Sequence, residues 1–165
     1  MFQDQGEFER IVMPEAPRLL RFARRLTGEM HAADDLVQET LLKAWRNFRQ
    51  LQEGSSARAW CYRIMLNTFY GQGRKVRAMP ATVPLEDRVL VGATSPGIDN
   101  VEISQALDAL PAEHRTVLLL GVVEGFTCRE VSEILSVPIG TVMSRLSRAR
   151  QSLREKLTQG EKVIP

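Results

Sequence analysis

Residues 127–157, TCREVSEILSVPIGTVMSRLSRARQSLREKL, decide the fold of this chain. Thr127 followed by Glu130 has the spacing of a capping box: the Thr hydroxyl accepts from the backbone N–H three residues on, and the Glu carboxylate reaches back to the cap. The spacing predicts a helix that starts there and runs through Val131, Ile134 and Leu135. It stops at Ser136-Val137-Pro138, because proline has no N–H to donate and turns the residue before it away from helical angles. A second helix begins at about Pro138, which suits a first-turn position. At about 100° per residue, Val142, Leu146, Ala149, Leu153 and Leu157 form one narrow stripe. Thr141, Ser144, Arg148 and Gln151 lie opposite it, with Arg145 on the border.

Two short helices about a tight turn, the second basic on its outer side, are the pattern of a helix-turn-helix. From residue 145 to 156 that helix carries Arg145, Arg148, Arg150, Arg154 and Lys156 against Glu155 alone, whereas the whole chain balances 22 basic against 20 acidic residues. A helix of this kind enters the major groove with residues near its N-terminus on base edges and longer cationic side chains behind them on phosphates. Complementing the helix dipole needs basic residues only in the last turn, and this run begins mid-helix.

The 165 residues fit one domain or two small ones. Residues 79–100, MPATVPLEDRVLVGATSPGIDN, concentrate Pro80, Pro84, Pro96, Gly92 and Gly97 without a sustained helical stripe and read as a flexible linker. The expected fold class is therefore all-α: two small helical domains, residues 1–78 and 101–160, folding separately on a tether.

No apolar run approaches the ~20 residues needed to cross a bilayer, and the start MFQDQGEFER is polar and acidic, so membrane insertion is not expected and the location is read as cytoplasmic. Cys61 and Cys128 fall in different domains, without a CxxC or a Cys/His cluster, and read as small buried hydrophobes. His31 and His114 stand apart from any nucleophile motif. With no Gly-rich phosphate loop, no GxSxG and no metal-spaced triad, we expect no catalytic residue, no metal and no cofactor.

In the N-terminal part, residues 15–27 place Leu19, Leu20, Phe22, Ala23 and Leu26 at helical spacing and stop at Gly28; most of the arginines 18, 21, 24 and 25 read as a solvated face. A second helix is expected over about residues 33–48, opened by Asp34 and Asp35 at its positive end. Its inward stripe is Val37, Leu41, Ala44 and Phe48. Leu42 falls on the opposite side among Asp35, Gln38 and Glu39, either as an isolated surface leucine or as the apolar centre of a docking patch with a polar rim. After the polar loop RQLQEGSS, a third helix starts near Ser55 or Ser56 and runs to a weakened end at Gly71 and Gly73, ahead of Arg74 and Lys75. Its aromatic residues interleave with cations as in single-strand binders, but Trp60, Ile64, Met65 and Phe69 follow core stripes. Asn67, the preceding loop and the basic end are the better site candidates.

The order ADDLVQETLLKAWRNF, ARAWCYRIMLNTFYGQGRK, a linker, ALDALPAEHRTVLLLGVVEGFTCREVSEIL and VPIGTVMSRLSRARQSL resembles bacterial RNA polymerase sigma factors of the extracytoplasmic-function (ECF) group, over nearly the whole chain. FARRLTG, ADDLVQETLLKAW and NTFY are also similar to its general-stress-response subgroup, whereas the C-terminal half carries only features of the wider group. The resemblance implies a transcription initiation factor, not an enzyme, whose partners are core RNA polymerase, promoter DNA and an anti-sigma factor. By motif, Asp35, Gln38, Glu39 and Leu42 match the helix that docks on the polymerase clamp helices. Gln50, Leu51, Gln52, Glu53, Gly54, Ser55 and Ser56 match the loop that pockets a flipped base of the -10 element, with Asn67 beside it and Arg74 and Lys75 on the DNA backbone. Thr141, Met143, Ser144, Arg145, Ser147 and Arg148 match positions facing the -35 element, and residues 111–123 the helices that support them and engage the polymerase flap. Three positions depart from the family pattern: Gly71 and Gly73, expected to fray the -10 helix; Met143, where a basic residue is common; and Ser136, at a turn position that is often Gly. Two rival readings, a stand-alone duplex-binding regulator and a sigma-like decoy, leave the α-helical Leu42 patch or the basic recognition helix without a role.

Overall fold

The computed structural model describes residues 2–78 and 101–161, with side chains described over 4–72 and 101–159. The linker assigned to residues 79–100 lies outside the described residues. Every regular element among the described residues is helical. In chain order these are α1 (Phe2–Ile11), a 3-10 turn (Met13–Glu15), α2 (Ala16–Thr27), α3 (Met30–Arg46), a 3-10 turn (Phe48–Gln50) and α4 (Ala57–Ala78). Then follow α5 (Val101–Asp108), α6 (Ala112–Leu118), a π-helical turn (Leu119–Val123), α7 (Cys128–Leu135) and α8 (Ile139–Glu161).

α2 follows its sequence pattern. Leu19, Phe22, Ala23 and Leu26 are buried, and Gly28 takes a left-handed φ of 71° while its N–H closes on the Arg24 carbonyl at 2.9 Å. Glycine adopts that conformation without a Cβ clash, so the helix ends there. α3 starts earlier than its paired aspartates suggest. Glu29 is the N-cap, and its carboxylate accepts from the N–H groups of His31 at 2.8 Å and Ala32 at 2.5 Å. Asp34 and Asp35 therefore lie a full turn inside the helix, and Asp34 sits 3.9 Å from Arg24.

α4 runs as one helix through Gly71 and Gly73, the weakened end expected from sequence, to Ala78. Glycine in a helix interior costs up to ~1 kcal/mol relative to Ala, which the rest of a long helix can absorb. At its start Ser56 caps it, its hydroxyl accepting from the Ala59 N–H at 3.1 Å.

The two halves, expected to fold separately on a tether, share packing in this structure. One hydrophobic core contains Val12, Leu19, Phe22, Leu36, Tyr62 and Met65 from the N-terminal half together with Leu119, Leu120, Phe126, Val131, Ile134 and Val142 from the C-terminal half. The Tyr62 ring joins them, packing edge-on against Phe22 at 5.0 Å and Phe126 at 5.3 Å. α7 packs against α4, and α6 lies alongside α2. A smaller cluster of Leu107, Leu110, Leu118 and Ala149 ties α5 and α6 to α8.

Candidate nucleic-acid interface

The helix-turn-helix forms as its sequence dictates. The Thr127 hydroxyl accepts from the Glu130 N–H at 3.2 Å, and the Glu130 carboxylate accepts from the Thr127 N–H at 2.7 Å. Those bonds to the ionised form hold the Glu130 carboxyl below its ordinary value. Ser136 closes α7 in the left-handed region, φ 53° and ψ 46°, so it takes the conformation that glycine would supply. The turn is braced by Ser132, whose hydroxyl donates to the Val137 carbonyl at 2.6 Å. α8 begins one residue later than its proline suggests, with Pro138 preceding Ile139 and its carbonyl accepting from Thr141 at 2.9 Å.

On α8 the inward stripe is as expected: Val142 and Ala149 are buried, and Leu146, Leu153 and Leu157 are half-buried. Met143, Ser144, Ser147 and Arg148 are exposed on the other side. Thr141 and Arg145 are half-buried, and Arg145 pairs with Glu113 of α6 at 3.2 Å.

The loop between α3 and α4 presents Gln50, Gln52, Glu53, Gly54, Ser55 and Ser56 to solvent, while Leu51 is half-buried. Its turn is held by the Ser55 hydroxyl, which donates to the Gln52 carbonyl at 2.6 Å. Asn67 lies exposed on α4. Arg74 and Lys75 fall on the helical backbone of α4, and their side chains lie outside the described residues.

On α3, Leu42 is 55% exposed, with Asp35 and Gln38 also exposed beside it. The helical phase read from sequence is correct. Trp45 extends this face: it is 40% exposed and packs edge-on against Phe8 of α1 at 5.1 Å. Sequence reading passed over Trp45, although its place one turn beyond Leu42 was a usable signal. Glu39 differs from the other patch residues because it is half-buried and engaged, accepting from Lys43 at 2.9 Å and from Gln72 of α4 at 2.5 Å. Lys43 in turn donates to the Thr68 hydroxyl at 3.1 Å, which fixes α3 against the helix that carries Asn67.

Two charged residues that sequence reading did not single out join the halves. Arg115 donates to the carbonyls of Leu107, Asp108, Leu110 and, across the junction, Leu26 at 3.0 Å. Arg58 donates to the Glu124 carbonyl at 2.6 Å and to its carboxylate at 3.0 Å. Glu124 is turned toward Arg58 just past the π-helical turn, where its N–H returns to the Leu119 carbonyl.

Cys61 is buried and burial pushes its thiol up to about 12, so it is a packing residue rather than a thiolate nucleophile. Cys128 is half-buried and free. Among the described residues no group of three or more His, Cys, Asp or Glu is placed to hold a metal ion, and no helix is long and apolar enough to cross a membrane.

Fold and exposed faces together define an all-helical protein that carries a helix-turn-helix in its C-terminal half. Residues 11–78 match Sigma-70 region 2, and residues 100–153 match Sigma-70, region 4. The chain is 35% identical over 150 residues to the ECF RNA polymerase sigma factor EcfG of Rhodopseudomonas palustris, covering 86% of this chain and 80% of that protein. It is 33% identical over 160 residues to the ECF RNA polymerase sigma factor SigE of Mycolicibacterium smegmatis, covering 92% of this chain but only 62% of that relative's length. The solved structure of the sigma factor RpoE of Bartonella quintana, in complex with the anti-sigma factor NepR, matches with a TM-score of 0.74 at 32% identity, covering 92% of this chain and 97% of that one. The chain belongs to the ECF sigma factors of the sigma-70 family.

Proposed function

We propose that this sigma factor binds core RNA polymerase, directs it to promoters by reading their -10 and -35 elements, and assists strand opening without bond-making chemistry of its own. The observation that carries this reading is that one chain holds, in family order, an exposed Leu42-centred face on α3 and an exposed polar and basic face on α8. We assign residues 1–78 to polymerase and -10 binding, 79–100 to the linker and 101–160 to -35 binding.

Asp35, Gln38 and Leu42, with Trp45 beside them, form the docking face for the polymerase clamp helices: an apolar centre in a polar rim suits a protein interface. Glu39 acts there mainly by fixing α3 to α4. The loop from Gln50 through Leu51, Gln52, Glu53, Gly54 and Ser55 to Ser56 receives a base flipped from the -10 element, with Asn67 next to it and Arg74 and Lys75 on the phosphates. Extrusion of a base costs a few kcal/mol, which contacts in such a loop offset. On α8, Thr141, Met143, Ser144, Arg145, Ser147 and Arg148 face the -35 element. Residues 111–123 support them and meet the polymerase flap; Val122 and Val123, 56% and 45% exposed, are the apolar side chains available for that contact.

We further place the chain in the general-stress-response subgroup, in the cytoplasm, with an anti-sigma factor as its regulatory partner. The match to EcfG and the likeness to RpoE, which was solved bound to NepR, support this placement. Promoter-dependent run-off transcription by core polymerase mixed with the purified chain tests the main reading. Specific transcripts are expected only when the chain is added. Tight duplex binding by the chain alone, with no effect on polymerase, would instead indicate a stand-alone regulator.

A further inference from the structure

α1 lies almost wholly ahead of the stretch that matches Sigma-70 region 2, which begins at residue 11. Most of its side chains are exposed, and a helix of ten residues is marginal in water without packing to hold it. Phe8 supplies that packing. It is 7% exposed, and its ring stands T-shaped to Trp45 at 5.1 Å and to Phe48 at 5.4 Å. Val12, fully buried, donates its N–H to the Phe8 carbonyl at 2.8 Å and so ties α1 to the core. One turn before Phe8, Asp4 accepts from Arg49 at 3.1 Å.

Phe48 and Arg49 open the 3-10 turn that delivers the chain to the loop before α4. The Gln50 N–H donates to the Asn47 carbonyl at 2.8 Å and the Leu51 N–H to the Phe48 carbonyl at 3.0 Å, so the backbone at Phe48 sets the direction in which the loop leaves. Beyond it residues 52–56 are exposed, and their hydrogen bonds run within the loop, from Ser55 to Gln52, or to the start of α4, from Ala59 to Ser56. The loop is thus held at its two ends. Ser56 anchors the far end on α4, and Phe48, against which α1 sets Phe8, anchors the near end. Asn47 joins the near end to the rest of the site: its side chain donates to the Lys43 carbonyl at 2.8 Å and accepts from the Gln50 amide at 3.3 Å, while Lys43 donates to Thr68, the neighbour of Asn67.

We propose that α1 braces the -10 loop, with Phe8 as a positioning residue that acts through Phe48 and Trp45 to set where residues 50–56 stand relative to Asn67. This rests on the -10 assignment made above. A pocket reads a base only when its groups are held within about 0.5 Å of the bonding geometry, and an exposed loop gains that precision from its anchors. Phe8 carries the brace. The Asp4–Arg49 pair adds little, because the arginine side chain is 85% exposed and water screens the attraction.

The test uses holoenzyme made with the full chain, sigma in excess over core, and forked DNA from a promoter active in the run-off assay. The DNA is duplex upstream and single-stranded across the -10 element, with an abasic site at each -10 position in turn. Wild type should lose affinity roughly 5- to 150-fold where the missing base is the one the loop receives, the range of one well-made base contact. Phe8→Ala should bring that factor close to one, and Phe8→Leu, which keeps apolar bulk without the ring edge, should fall between. The factor for an altered -35 element should stay at its wild-type value in both variants. A purely structural role lowers the amount of folded sigma and leaves both factors unchanged, which would overturn the brace. A fall in both factors would overturn it too, because the disturbance would not be confined to the loop. Should Phe8→Ala fail to fold, Phe8→Leu decides: an abasic factor equal to that of wild type overturns the brace. A wild type indifferent to an abasic site at every -10 position would reject the -10 assignment and the brace with it, whereas a sensitive wild type with unchanged Phe8 variants rejects the brace alone.

Discussion

Glu113 of α6 holds Arg145 of α8, Oε2 to Nη2 at 3.2 Å, and leaves the arginine side chain 25% exposed. The two arginines expected to face the -35 element are therefore unequal: Arg145 braces α8 against its supporting helix, whereas Arg148 is exposed. A base-reading arginine supplies ~1–3 kcal/mol of discrimination through a bidentate contact to guanine, while a phosphate contact adds salt-dependent binding of any sequence. Arg148→Ala should shrink the difference between a matched promoter and one altered in its -35 element by that amount. Arg154→Ala, further along α8, should weaken both alike or neither. Holoenzyme binding to both promoters at several salt concentrations measures this. Equal losses on both with a shallower salt slope would make Arg148 a phosphate clamp.

Leu42→Arg should separate polymerase binding from folding. At 55% exposure the new side chain meets water, so the melting free energy should move by no more than about 0.5 kcal/mol. Placed at the centre of an apolar interface, the same charge should sharply reduce binding to core polymerase. An early melt with binding retained would make Leu42 a packing residue.

The parts of this structure that were legible in the sequence are those set by local rules. The capping box at Thr127, the stop at Gly28 and the stripes of α3 and α8 each follow from a few neighbouring residues. The start of α3 was misread because Glu29 caps it, a residue less usual there than Asp34 or Asp35. The π-helical turn at Leu119–Val123 leaves no mark in the apolar pattern, yet it sets where Glu124 sits. The contacts between the halves include Arg58 with Glu124 and Arg115 with Leu26, 66 and 89 residues apart. No periodicity encodes a pairing at that distance.

Ser136→Gly should stabilise the protein. Ser136 has a φ of 53° and a ψ of 46°, a left-handed conformation that costs a residue with a Cβ roughly 1–2 kcal/mol and glycine almost nothing. Glycine loses more chain entropy on folding, which reduces the net gain to about 1 kcal/mol. Urea unfolding of the two proteins reads the difference; a less stable variant would mean that the 3.5 Å contact of Ser136 with Arg63 matters more than the backbone strain.

Acid should loosen two helix starts. The N–H groups of Ala32 and then His31 hold the Glu29 carboxyl below its ordinary 4.5, and the backbone N–H and then the hydroxyl of Thr127 do the same for Glu130. A carboxyl lowered on folding contributes stability that is fully present above its unfolded value and is lost as pH falls through the folded one. The melting temperature should therefore drop as pH falls below about 5, and Glu130→Gln should flatten part of that slope. An unchanged slope in Glu130→Gln would assign the acid sensitivity elsewhere.

Arg115→Ala should be among the most destabilising single changes in the chain. Burial lowers the Arg115 pKa, against the raising effects of Asp108 and then Tyr70, yet its guanidinium forks over four carbonyls: Leu107 at 2.9 Å, Asp108 at 2.7 Å, Leu110 at 3.1 Å and Leu26 at 3.0 Å. Hydrogen bonds to charged groups contribute about 1.5–3 kcal/mol each and are not additive, so loss of the whole set should cost about 3 kcal/mol or more. Lysine should rescue little of this, because one ammonium cannot reproduce the planar fork that reaches carbonyls of α5, the α5–α6 connection and α2 together. Chemical denaturation of wild type, Arg115→Ala and Arg115→Lys checks the ordering. A lysine variant as stable as wild type would show that the charge, and not the fork, holds the end of α5 to α6.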